Sequence, residues 1–125
     1  MRRKAGTALV RNELRLLLTA ADLQVAGTDR FHGYDLARHL AGADDGSTIM
    51  SQPTLYRALR RLEERGALSS AWEGLDDAAA GGREGRPRRY YQLTATGVEL
   101  AASELAKHRL SWVSGQLIPL PAKLD

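Results

Sequence analysis

The stretch Ser51–Arg65, SQPTLYRALRRLEER, decides how the rest of the chain is read. Leu55, Ala58, Leu59 and Leu62 recur at the three- and four-residue spacing that gathers side chains on one face of an α-helix. Ser51 stands where an N-cap belongs, and Pro53 falls in the first turn, where a missing N–H leaves no bond unmade. Gly66 follows the last periodic residue as a stop. The opposite face carries Thr54, Tyr56, Arg57, Arg60 and Arg61, with Glu64 closing it. Leucines on one side, and hydroxyls, an aromatic ring and guanidinium groups on the other, suit a helix laid in a DNA major groove. A charged face that only meets water is the competing reading.

The residues after this helix weigh on that choice. Beyond Gly66 the period drops to two: Leu68, Ser70 and Trp72 point one way, Ser69, Ala71 and Glu73 the other, as in a half-buried strand. Gly74–Pro87 has no periodicity and reads as a flexible loop. Arg88–Leu93 is a second strand, with Arg89, Tyr91 and Leu93 on one face, so the two make a hairpin with one of Tyr90 and Tyr91 in the core. Arg83, Arg86, Arg88 and Arg89 face a single nearby acid, Glu84, and form a dense positive field. That field fits contact with DNA backbone or minor groove, or a merely soluble loop. Thr94 caps a last helix that is expected to run to about Ser114, with Gly115 as its stop and His108 and Trp112 one turn apart. Its large apolar residues call for a cover, and a second copy of the chain is the simplest.

Upstream, Thr7–Val25 is helical, with one stripe of Val10, Leu14, Leu17, Leu18, Ala21 and Val25 and another of Leu9, Leu16 and Leu23. Two apolar flanks mean either a subunit contact or a helix buried on most sides. Gly33–Ala41 is a shorter helix whose small inner residues allow close packing. Gly42–Ser47 is a turn-rich link, and Ile49 is an apolar anchor ahead of the Ser51 cap.

The chain has 125 residues, enough for one domain with a modest core. A net charge of +3 and a pI near 9.6 favour polyanionic partners only weakly. There is no cysteine, which removes disulfides and thiolate metal sites and fits the cytoplasm. Arg2, Arg3 and Lys4 do not open a signal peptide, because Arg11, Asn12, Glu13 and Arg15 break the apolar run that would have to come next, and no stretch suits a membrane span. His32, His39 and His108 lack metal-ligand spacing, Asp44, Asp45, Asp76 and Asp77 lack the calcium-loop pattern, and no serine sits in a nucleophile turn. Neither an enzyme nor a cofactor is expected.

Helix, helix, helix, hairpin is the winged helix-turn-helix order. Three segments sharpen it: HGYDLARHL (His32–Leu40), PTLYRALRRLEERGALSSAWE (Pro53–Glu73) and GRPRRYYQLTATG (Gly85–Gly97). Together they resemble the PadR family of bacterial transcription regulators, over roughly Ala8–Trp112. The shortness of the region after Thr94 resembles the smaller subfamily with a single C-terminal helix. The resemblance implies a mainly α protein with a small β-hairpin: a winged helix-turn-helix DNA-binding domain over residues 1–93, and a C-terminal dimerisation helix and tail over 94–125. It implies a homodimeric, repressor-like regulator of double-stranded DNA with a palindromic operator.

Thr54, Tyr56 and Arg57 match the family's DNA-facing helix positions, Tyr34 a position that reaches phosphate, and Arg88 and Arg89 the basic residues before the wing's return strand. With Ser51, Gln52, Pro53, Arg60, Arg61, Arg83 and Arg86 they form the expected DNA-binding set. Arg57 is the candidate base reader, and Arg60 and Arg61 are candidate phosphate contacts. The expected dimer interface is Leu9, Leu16, Leu105, His108, Trp112 and Val113. His108 and Trp112 either pack there or sandwich a small aromatic effector. The wing loop departs from the family pattern by its length and its early acids, Asp76 and Asp77. Two other functions fit the same fold: a protein-binding winged helix, and a ligand- or metal-sensing regulator of another winged-helix family.

Overall fold

The computed structural model describes residues 9–43 and 50–121. In chain order the elements are α1 (Arg11–Val25), β1 (Phe31–His32), α2 (Gly33–Ala43), α3 (Gln52–Glu64), β2 (Leu68–Trp72), α4 (Leu75–Ala80), β3 (Arg89–Leu93), α5 (Ala95–Lys107), β4 (Leu110–Val113) and β5 (Gln116–Pro119). Thr7 as a helix start, the Asp44–Ser47 part of the link and the Ile49 anchor lie outside the described residues.

The helix α3 forms as its sequence dictates. Ser51 Oγ accepts the Thr54 N–H at 3.3 Å, and Leu55, Ala58, Leu59 and Leu62 are buried. At the other end Gly66 takes φ +78°, and the N–H groups of Gly66 and Ala67 return to the carbonyls of Glu63 and Leu62. This is a left-handed glycine closure, so the chain leaves α3 already turned into β2. The helix α1 ends in the same way at Gly27, whose φ is +102°.

The sheet has three antiparallel strands in the order β1-β3-β2. Leu68, Ser70 and Trp72 oppose Leu93, Tyr91 and Arg89, which is the facing that the alternation predicts. Tyr91 is the core tyrosine, and Tyr90 sits half-buried on the other side. The short strand β1 has no counterpart in the sequence pattern. Its two residues, Phe31 and His32, pair with Tyr91 and Tyr90, too few to leave a periodic signal.

The core is built around α1, against which α2, α3, α5 and β3 all pack. Leu16, Leu17, Leu36, Leu59 and Leu62 are fully enclosed. Leu16 is 0% exposed and therefore belongs to the chain's own core, not to a subunit contact: α1 is buried on most sides because four elements wrap it. Val25, expected on the apolar stripe, is 90% exposed at the end of the helix.

Two further expectations are corrected. Gly74–Pro87 is not all loop, since α4 occupies Leu75–Ala80; Asp76 and Asp77 sit in its first turn, where carboxylates favour the helix dipole. The last helix stops at Lys107, seven residues short of Ser114. Arg109 turns the chain at φ +53°, and β4 and β5 then form a hairpin closed by Ser114 and Gly115 at φ +50° and +79°. Two residues with positive φ make the turn whose twist suits a tight hairpin. The region after Leu93 is therefore a helix plus a hairpin, and His108 and Trp112 are not neighbours on one helical face. Among the described residues no helix is long and apolar enough to cross a membrane.

Candidate nucleic-acid interface

The outer face of α3 is positioned by how closely α2 approaches it. A Cβ added at Gly33 would lie 2.8 Å from Leu59 Cδ1 and 3.3 Å from Tyr56 Cε1. A side chain there would have to push Leu59 aside, and the close approach sets Tyr34, exposed at the start of α2, on the same cleft as Tyr56. Tyr34, Tyr56, Arg60, Arg88 and Arg89 of the expected set line one open cleft of about 650 Å³, together with His32, Glu63, Trp72, Pro87 and Tyr91. The cleft lies between α3, the start of α2 and the sheet.

The arginines sort into two groups. Among the described residues the side chains of Arg57, Arg60 and Arg86 have no acidic or hydrogen-bonding partner, so their donors are free for an outside acceptor. The others are held by the protein. Arg61 Nε pairs with Glu13 Oε2 at 2.8 Å. Arg89 donates to Ser70 Oγ at 2.8 Å, reaches both Glu63 oxygens at 3.3 Å, and lies 5.3 Å from the Trp72 ring centre. Arg83 pairs with Glu73. Arg88 Nη1 stands 2.9 Å from His32 Nε2.

Glu63 ties α3 to the wing. Its carboxylate accepts from Ser70 on β2 and Arg89 on β3, fixing the angle between the helix and the hairpin. Glu73 ties the base of the wing loop, accepting from Arg83, from the Arg88 N–H at 3.1 Å and from Tyr90 Oη. The bond from Arg83, helped by the Arg88 N–H and by the charge, holds the Glu73 carboxyl below the ordinary range against the opposing effect of burial. The wing base is accordingly a shaped element, while Arg86 projects free from it.

At the N-terminus of α3, Ser51, Gln52 and Pro53 are exposed and Thr54 is half-buried. Ser51 Oγ also donates to Thr54 Oγ1 at 2.9 Å, so both hydroxyls serve the cap. Tyr34 carries Arg38 over its ring at 5.7 Å. Arg38, Trp72 and His32 join the site without belonging to the expected DNA-binding set. Arg38 is legible in the sequence, since a residue four after Tyr34 shares its helical face; His32 and Trp72 reach the cleft only through strand pairing.

The residues expected at a dimer interface differ in exposure. Leu9, Leu105 and Trp112 pack partly against the chain's own core, and the Trp112 indole N–H donates to Asp22 Oδ2 at 2.8 Å. Val113 is exposed on β4. His108 stands 3.4 Å from the buried Glu104 and borders a cavity of about 360 Å³ with Leu9, Arg11, Leu14, Leu110 and Leu117. Trp112 does not line it.

Comparison with known proteins bears on this geometry. The model of the transcriptional regulator PadR-like family matches residues 23–103. A PadR family transcriptional regulator from Eggerthella lenta superposes with a TM-score of 0.53 at 29% identity, over 77% of this chain and 76% of that one. Pex from Synechococcus aligns with a TM-score of 0.51 at 26% identity, over 78% and 82%. A transcriptional regulator from Clostridium thermocellum, at 19% identity and a TM-score of 0.59 over 76% and 79%, shares the fold. No curated protein matches the sequence. The matched segment runs from the end of α1 through α2, α3, the wing and most of α5, and the chain belongs to the PadR-like family of transcriptional regulators.

Proposed function

We propose that this regulator works in the cytoplasm as a homodimeric repressor that reads a roughly palindromic operator in double-stranded DNA. The observation that carries the reading is the exposed face of α3, where Arg57 and Arg60 stand without a partner beside a cleft framed by the wing. Cations left unpaired on a leucine-anchored helix have their donors aimed at whatever docks there. The helix enters the major groove, Arg57 pairs with a guanine edge, and Arg60, Arg88 and Arg86 meet phosphates along the groove wall and flank. Thr54, Tyr34 and Tyr56 supply neutral contacts, while Arg61, Arg83 and Arg89 mainly hold the frame. Two such helices related by a two-fold axis select half-sites about 10 base pairs apart.

Selection from a random duplex pool, followed by anisotropy titration at several salt concentrations, tests this. The expected results are a two-fold symmetric site and a steep loss of affinity with salt. A flat salt response points to a protein partner for the same face. Arg57→Ala is expected to weaken specific binding by about 1–3 kcal/mol and to relax preference at one position of each half-site. An equal loss on all sequences reassigns Arg57 to a phosphate.

The dimer reading draws on the apolar residues exposed near the C-terminal hairpin, Val113, Ile118 and Leu120, with Val98 on α5. An Ile118→Asp change is expected to shift sedimentation toward the monomer at micromolar concentration; unaltered sedimentation would place the subunit contact elsewhere. A small aromatic effector is supported only by the cavity that His108 borders.

A further inference from the structure

His32 Nε2 stands 2.9 Å from Asp35 Oδ2 and also 2.9 Å from Arg88 Nη1. One ring nitrogen cannot serve both. With a lone pair it accepts from the Arg88 guanidinium and faces the carboxylate with no proton between them. With a proton it donates to Asp35 and turns an N–H toward a group that has only donors. The two rivals sit on different parts of the molecule: Asp35 on α2, and Arg88 on the strand side of the wing.

We propose that His32 is a proton-operated latch on the wing: neutral, it holds Arg88 against the body of the protein; protonated, it turns to Asp35 and releases Arg88 to DNA phosphate. The inference rests on the proposed binding of DNA.

The surroundings set the direction. From α2, Asp35 and Arg38 face the ring; from the wing and β3, Arg83 and Arg88 do so, with the Tyr90 ring edge-on at 6.1 Å. Burial, more than any single charge, holds the imidazole below its ordinary value of 6.5, and the three guanidinium groups add to this while Asp35 opposes it. The neutral form therefore prevails at neutral pH, and with its proton on Nδ1 and its Nε2 lone pair toward Arg88 it keeps the latch closed. Phosphates docking beside Arg88 bring negative charge that favours the imidazolium. By linkage, binding takes up a proton, and affinity rises as pH falls.

The free protein tests the latch and the complex tests its consequence. In the free protein, NMR titration of the His32 ring is expected to move to higher pH in Arg88→Ala and to lower pH in Asp35→Asn. A titration unmoved by Arg88→Ala overturns the latch, whatever DNA does. In the complex, duplex affinity is expected to rise about fivefold between pH 8 and pH 5.5, with a salt slope steeper by roughly one. His32→Gln, which keeps size and hydrogen bonding but cannot charge, is expected to lose that gain, while His39→Gln keeps it. A pH gain that survives in His32→Gln, or its absence from the wild type, overturns the link to binding. Absence of duplex binding at every pH instead strikes the DNA reading, and the NMR result then stands by itself.

Discussion

Replacing Gly97 with alanine is expected to lower the melting temperature by roughly 10 °C, a loss of about 3 kcal/mol. Helix propensity alone argues the other way, since alanine in a helix gains roughly 0.5–1 kcal/mol over glycine. Packing decides the sign. A Cβ at Gly97 would fall on the Ala67 carbonyl oxygen and 2.8 Å from Leu93 Cδ1. The carbonyl cannot swing aside, because it accepts the Thr94 N–H at 3.2 Å. Thr94 is held in turn: its Oγ1 accepts the Gly97 N–H at 2.9 Å and donates to Gly66 O at 2.6 Å. One methyl therefore forces apart the end of α3, the start of β2 and the start of α5. Thermal denaturation by circular dichroism checks this, and a raised melting temperature would show that the close approach does not exist in solution.

Arg61→Met is expected to cost about 2–3 kcal/mol, and adding Glu13→Leu to restore most of it. Glu13 is 1% exposed on α1, where it accepts the Val10 N–H at 3.1 Å, and Arg61 on α3 is its cation. Removing only the arginine strands a carboxylate in the core. The usual cost of that is trimmed here because the Arg61 side chain is itself 45% exposed and water reaches it. Replacing both partners with apolar groups removes the stranded charge, leaving the lost Val10 bond at about 1 kcal/mol. Urea denaturation of the four proteins of the cycle measures the coupling. Duplex binding by the folded single variant reads the other role: a salt slope smaller by about one marks Arg61 as a phosphate contact, and an unchanged slope assigns it wholly to the α1–α3 junction.

The helix α3, its cap, its buried leucines and its terminating glycine are legible in the sequence because each is a local device with one physical outcome. The facing of β2 against β3 is legible for the same reason: alternation sorts the side chains of each strand between a buried and an open face. Legibility fails where a short segment satisfies two periods at once. Leu110, Ser111, Trp112 and Val113 can extend the helical face begun at Val98 or alternate as a strand, and the Ser114–Gly115 turn decides for the strand. Gly97 looks merely tolerated in the sequence, because the backbone that demands it lies thirty positions upstream. For the candidate interface, residue type locates the arginines but not their loyalties. Whether a guanidinium is free or held depends on acids such as Glu13, Glu63 and Glu73, which long-range packing brings alongside.

The placement of β3 between β1 and β2 has a mechanical corollary. A wing made of two strands alone would swing like a flap and dissipate any pull on its tip. Here the returning strand is stitched on its far edge to Phe31 and His32, directly ahead of α2. Force applied to the basic arm therefore travels into α2, which packs on both β1 and α3, and so reaches the helix that carries Arg57 and Arg60.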